Sequence, residues 1–440
     1  MTIEFEYWWL LVLPLFFTLG WIAARVDIKQ LIAESTALPA AYFKGLNFLI
    51  SNQYDKAIEA FSEAMQANTD SLELHFALGS LFRRTGETDR AINMHLNLLD
   101  KKELTDNQRS AVKAELAQDY LKAGLYDRAE ELFKGLNDTR YRQPALHALQ
   151  EIYVREREWT RAIETATELE RLSGVSFRIQ IAQYYCELAM NDIIAQKLDT
   201  ARIQLHKALD ANKNCVRANV LLGDLEASTG AHKAAISHWK RIEYQQPEYL
   251  GLIANKMLKS FRALEPEPDK PEPGIPEPGI PDSGKPEPGK PEQNQSELGD
   301  QLKQGLAQLN MYIETYKLPS LMSALYEATL VEEGAEKAAK LARNELIRQP
   351  SLTTLDQLLQ ARAMADETIV ADNKQNNNQD IQLMQQTVRN AIGNRTAYHC
   401  DQCGFRAKQH HWQCPACNAW ESLPAEPSEW LSREMTIKKK

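Results

Sequence analysis

The chain has 440 residues, 43% of them hydrophobic and 25% charged, so it is a folded protein too long to share one compact core. Its formal net charge of -9 argues against nucleic acid as the main partner. Of its six cysteines, four crowd into the last tenth and Cys186 and Cys215 stand alone, which is metal-site usage in a reducing compartment rather than a disulfide framework.

Tyr7 to Ala24 carries no charge over 18 residues, just enough to cross a bilayer as a helix. Trp8, Trp9 and Trp21 fall near the two ends, where aromatic rings favour the interface, and Pro14 is tolerated in such a helix. A cleaved signal peptide needs a basic lead, and Glu4 and Glu6 stand there instead. Arg25 and Lys29 follow the run. The reading is a single-pass anchor over 1–27, retained in the membrane, with the C-terminal bulk in the cytosol.

From residue 38 one arrangement recurs. Ala57, Ala91, Ala129, Ala162, Ala201 and Ala235 are separated by 34, 38, 33, 39 and 34 residues. Tyr54, Tyr126 and Trp159 stand three residues before their alanine, and Phe61, Phe133 and Trp239 four after it. Gly79 and Gly223 let one helix approach the next, and Gly86, Gly124 and Gly230 fall where a helix must stop. This is the tetratricopeptide pattern of helix pairs, each burying its apolar face only by stacking on a neighbour. It predicts six units over 38–264. The six histidines scattered there read as surface or groove residues, and Cys186 and Cys215 as small core residues. The chain has no Gly-rich phosphate loop, nucleophile elbow or His-Glu-x-x-His, so the reading is not an enzyme.

Glu265 to Pro291 holds ten of the 19 prolines, with PEPGI, PEPGI, PDSGK and PEPGK in tandem. Such a stretch supports no core, so 265–293 is expected to be a disordered, solvated insertion. Helical patterning resumes over 294–393. Tyr249–Leu264 and Leu298–Tyr316 read as a pair split by the insertion, and Leu321–Gln349 as another. Leu352–Ala365 and Ile381–Ile392 read as final helices, with Asn373–Gln379 a polar break.

Residues 396–424 contain Cys400-Asp-Gln-Cys403-Gly and Cys414-Pro-Ala-Cys417. Two such bends complete a tetrahedral site for one metal ion, and four thiolates leave no open position, so the role is structural. A segment this short needs the ion to fold. Zinc is the first choice and iron the alternative. His399, His410 and His411 are rival ligands, set aside because the cysteines already make a full set. Phe405, Trp412 and Trp420 are expected around the knuckle or against the last helices, or else at a partner surface.

The fold class so read is all-α: a tetratricopeptide-repeat solenoid with an N-terminal transmembrane helix and a small C-terminal four-Cys metal knuckle. Together with the strings Gly45-Leu-Asn-Phe-Leu-Ile-Ser-Asn, Gly79-Ser-Leu-Phe-Arg-Arg, Ala123-Gly-Leu-Tyr-Asp-Arg-Ala-Glu and Trp412-x-Cys-Pro-x-Cys-x-Ala-Trp, this plan resembles the lipopolysaccharide assembly protein B (LapB/YciM) family. The resemblance implies a rubredoxin-like knuckle with Cys400, Cys403, Cys414 and Cys417 as metal ligands. It implies a bacterial inner-membrane adaptor coupling lipopolysaccharide demand to turnover of the deacetylase LpxC by the membrane protease FtsH. It also implies contact with a membrane regulator of the pathway and no catalytic residue. Self-association is compatible with this plan.

Overall fold

The computed structural model describes residues 14–21, 40–67, 71–136, 139–265, 299–367, 375–393 and 398–426. The anchor expected over 1–27 lies outside these, apart from a helix at 14–21. No helix among the described residues is long and apolar enough to cross a membrane. The insertion expected over 265–293 also lies outside them, Glu265 excepted. The chain divides into two compact units, one of 1–161 with 171–174 and one of 162–170 with 175–440.

In the first unit the pairs are Ala40–Ile50 with Tyr54–Ala67, Leu72–Thr85 with Thr88–Leu99, and Asp106–Ala123 with Tyr126–Lys134, followed by Thr139–Arg155. Local chemistry starts these helices: the Ser71 hydroxyl accepts from the Leu74 N–H, and Thr105 with Gln108 forms a reciprocal capping box. It also stops them. Gly86 and Gly124 take φ of +88° and +78°, and the next N–H reaches back five residues, Glu87 to Phe82 O at 2.8 Å and Leu125 to Tyr120 O at 2.9 Å.

The small residues act as the spacing implied. A Cβ on Gly45 would meet the Phe61 ring at 2.9 Å, and one on Gly79 would lie 2.4 Å from His95 Cε1. Here one expectation is corrected. His95 is not a surface residue but fully buried, because the glycine opposite leaves a ring-sized space and Asp119 supplies a partner. His95 Nδ1 lies 2.5 Å from Asp119 Oδ2, and Arg83 donates to Asp119 Oδ1 at 2.6 Å and to Glu115 Oε2 at 2.7 Å. With Asp119 itself fully buried, each partner offsets a desolvation penalty that it alone would not survive.

The second unit continues with Arg178–Ile194 and Leu198–Ala211, then Val216–Ser228 and His232–Lys240. A Cβ on Gly223 would fall 2.1 Å from Trp239 Nε1, an indole almost wholly buried whose N–H donates to Val220 O. The helices flanking the insertion, Leu250–Ala263 and Asp300–Tyr316, do pair: Gly305 faces the Phe261 ring, and the Leu302 N–H donates to Glu265 Oε1 at 2.9 Å. Pro319–Glu332 with Ala335–Arg348 and Leu352–Glu367 with Gln375–Gly393 complete the helices. The last helix begins inside the polar stretch read as a break. Asn and Gln lower helix propensity by only a few tenths of a kcal/mol each, about what a stacked neighbour overrides. One apolar core joins Val216, Trp239, Tyr249, Ile253, Met257, Phe261, Leu309 and Tyr312.

Candidate metal centre

The four cysteines expected to bind metal come together. Their sulfurs all lie within 4.8 Å of one another, and among the described residues no other group of three or more Cys, His, Asp or Glu side chains is arranged to hold an ion. Cys400 and Cys417 sulfurs are 3.7 Å apart, as are those of Cys403 and Cys414. A tetrahedron of thiolates about 2.3 Å from a zinc ion has edges of about 3.8 Å, so the donor set fits a single tetrahedral ion.

Each C-x-x-C turn is built the same way. The Gly404 N–H donates to Cys400 O at 2.9 Å and the Asn418 N–H to Cys414 O at 2.9 Å, with φ of +73° at Gly404 and +58° at Asn418. Glycine and asparagine are the residues that tolerate this left-handed position. Strands Tyr398–His399 and Arg406–Ala407 pair beneath the first turn. A small core of Cys400, Ala407, Cys414 and Leu423, with Tyr398 and Phe405 against it, fills the knuckle. The Ser422 hydroxyl lies 3.3 Å from the Cys400 sulfur, and although burial raises that thiol, its hydrogen-bond contacts with Ser422 and the backbone of Cys403 and Gln402 bring it down to about 6. Such bonds favour the thiolate a metal needs. Against backbone bonds from Phe405 and Ala419, burial and the neighbouring sulfurs push Cys403 up to about 12 and raise Cys417.

His410, a rival ligand, is placed elsewhere. Its ring meets Trp412 edge-on at 5.0 Å and Tyr249 at 5.8 Å. Burial, and then the His411 charge, hold it down to about 4, so it is neutral at pH 7.

The knuckle is docked on the repeats of its own unit: of the three aromatic residues expected around the knuckle, against the last helices or at a partner surface, Phe405 packs in the knuckle, while Trp412 and Trp420 reach earlier helices. Trp412 stacks on Tyr249 at 5.2 Å with 7° between ring planes. Trp420 meets Tyr184 edge-on at 6.1 Å and lies under the Arg217 guanidinium at 5.7 Å. Gln183 Nε2 donates to Glu421 Oε1 at 2.7 Å, and its oxygen accepts from Arg217, which also donates to Glu187. The Ser320 hydroxyl donates to Glu426. Burial raises both Glu421 and Glu426, opposed by these hydrogen bonds. Gln183, Tyr249 and Ser320 carried no signal in the sequence, because each reads as an ordinary helix residue until its distant partner is known.

Comparison with known proteins agrees with this architecture. Residues 398–425 match a rubredoxin metal binding domain, and 74–109, 145–172 and 188–249 match tetratricopeptide repeats. Lipopolysaccharide assembly protein B of Escherichia coli K12 is 29% identical over 415 residues, covering 94% of this chain and 96% of that one. The protein of the same name from Haemophilus influenzae is 28% identical over 425 residues, with the same coverage. Among solved structures, the tetratricopeptide protein YrrB is 17% identical and covers 45% of this chain and 99% of its own, with a TM-score of 0.29. The C-terminal part of a tetratricopeptide protein from Cytophaga hutchinsonii is 12% identical, covering 50% of this chain and 85% of its own, with a TM-score of 0.33. Overlays this loose add nothing to the repeat matches. The four-Cys knuckle, the helix pairs and the similarity along 94% of its length are what this chain shares with the proteins named lipopolysaccharide assembly protein B, which it resembles from end to end.

Proposed function

We propose that the chain is an adaptor of lipopolysaccharide assembly, acting by promoting FtsH-dependent degradation of LpxC. The observation that carries the reading is the similarity over 94% of the chain to a protein named for lipopolysaccharide assembly. Tetratricopeptide repeats are interaction modules, which supports an adaptor rather than an enzyme. In this reading residues 1–27 anchor the chain in the bacterial inner membrane with its bulk cytosolic. Residues 38–264 and 294–393 form the docking repeats, 265–293 is a tolerated insertion, and 396–424 is the knuckle. Confinement to the plane where a membrane protease works raises the effective concentration of client and protease. A membrane regulator of the pathway meets the anchor. Cys400, Cys403, Cys414 and Cys417 hold one structural ion, zinc rather than iron. That ion supplies a cross-link and no reaction step. Ser422 and the turn amides orient the thiolates, and Gln183, Tyr249 and Ser320 hold the knuckle in place.

The test is the lifetime of LpxC after depletion of the protein in its own host. The expected result is a several-fold longer half-life, restored by the wild-type chain. An unchanged half-life would remove the LpxC reading. Stabilisation of many unrelated envelope proteins instead would favour a general assembly scaffold.

A further inference from the structure

On the first unit a cleft of about 530 Å³ is lined by Tyr54, Arg83, Arg84, Lys122, Tyr126 and Arg155, with Gln118, Leu121, Gly124 and Glu151 between them. It runs across three consecutive helix pairs and the helix that follows them, and four cations face it with one carboxylate, in a chain whose net charge is -9. Two of the cations are committed. Arg83 is held from behind by Asp119 and Glu115 at 2.6 and 2.7 Å. Arg155 pairs with Glu151 at 2.7 Å and donates to the Tyr126 hydroxyl at 3.2 Å. The other two have no carboxylate partner among the described residues. Arg84 lies over the Tyr54 ring at 5.6 Å and is exposed, and Lys122 is exposed on the neighbouring helix.

We propose that this cleft binds an acidic peptide segment of a partner protein. Arg84 and Lys122 take the carboxylates. Tyr54, Tyr126 and Leu121 give apolar surface to the side chains between them. The pinned Arg83 and Arg155 keep the walls in place, so little side-chain entropy is lost on binding. The length of the cleft, spanning several pairs, suits an extended chain better than a single phosphate headgroup. A basic cleft on a chain of net charge -9 also favours acidic segments by charge. This deepens the adaptor reading and rests on it for its setting, but its test reads binding alone and is separate from LpxC lifetime.

The experiment uses the purified full chain in detergent. The probe is a fluorescein-labelled octapeptide alternating glutamate and leucine, followed by anisotropy at low and physiological salt. Saturable binding is expected, weakening at least several-fold as salt rises, and absent for the glutamine counterpart. Arg84→Gln with Lys122→Gln should weaken it at least tenfold. Both side chains are exposed, so circular dichroism should be unchanged. Lys259→Glu, an exposed cation of the second unit, should leave Kd within twofold. The proposal is overturned if the glutamine peptide binds equally, or if the Lys259 variant loses as much as the cleft variant. It is also overturned if the cleft variant loses binding to phosphatidylglycerol vesicles while its affinity for the peptide stays intact.

Discussion

The Trp412–Tyr249 stack is the contact on which docking of the knuckle should turn, and a double-mutant cycle can measure it. The rings are 5.2 Å apart and nearly parallel, and Tyr249 is 5% exposed while Trp412 is only half-buried. Removing a fully buried Trp costs about 3–5 kcal/mol, so Trp412→Ala should cost about 2 kcal/mol of docking. Tyr249→Leu keeps the apolar filling and should cost about 1 kcal/mol. Such ring pairs add roughly 0.5–1.5 kcal/mol beyond area burial, and that coupling is counted twice when the single costs are summed. The assay is metal release to a colorimetric chelator, which samples the undocked knuckle when redocking outpaces loss of the ion. Trp412→Ala should speed release about 30-fold. The double variant should fall short of the product of the singles by a factor of about 2 to 5, the upper end set by the whole cost of Tyr249→Leu. Rates that simply multiply would refute the stack as a coupled contact. Unchanged rates in all three variants would refute docking as what protects the ion.

Gly223→Ala drives a Cβ into the Trp239 indole, a ring 1% exposed, so the pair should lose about 1–3 kcal/mol, read as a lower melting temperature of the purified chain. No loss would mean the sixth pair packs less closely than its geometry shows. His410 is held at about 4 against 6.5 when free, so below pH 6.5 the unfolded state takes up a proton that the folded one refuses. Its contribution is complete above that pH and is lost as pH falls toward 4, by about 2 kcal/mol after allowance for partial solvent screening. His410→Phe keeps the ring contact and removes the titration. The wild-type minus variant difference in metal-release profiles should therefore grow between pH 6.5 and 4.5, and a flat difference would contradict the burial argument.

Local chemistry was legible in the chain itself. The alanine spacing, the glycines that end helices at 86, 124 and 230, and the paired C-x-x-C turns all act within a few residues of where they are written. Even so the glycine signal was partial. Asn52, Arg157 and Gln196 occupy the same left-handed turn at φ of 56° to 59° without being glycine, with the same backward hydrogen bonds from Gln53, Glu158 and Lys197. The repeated bond and the stacked helices hold those residues there at a cost of about 1 kcal/mol each, which no residue-type rule foresees.

Tertiary structure alone decided what the pairs and the knuckle touch. Gln183 and Glu421 are 238 residues apart, and His95, Arg83 and Asp119 come from three different helices. A buried polar side chain or a half-exposed tryptophan has no periodicity to announce it, since its environment is made by segments distant along the chain. Sequence determined where helices begin, turn and grip a metal, because those are short-range steric and hydrogen-bond rules. Only folding could set the metal knuckle on Tyr249, Gln183 and Ser320, because that choice depends on which surfaces remain unburied once the pairs have stacked.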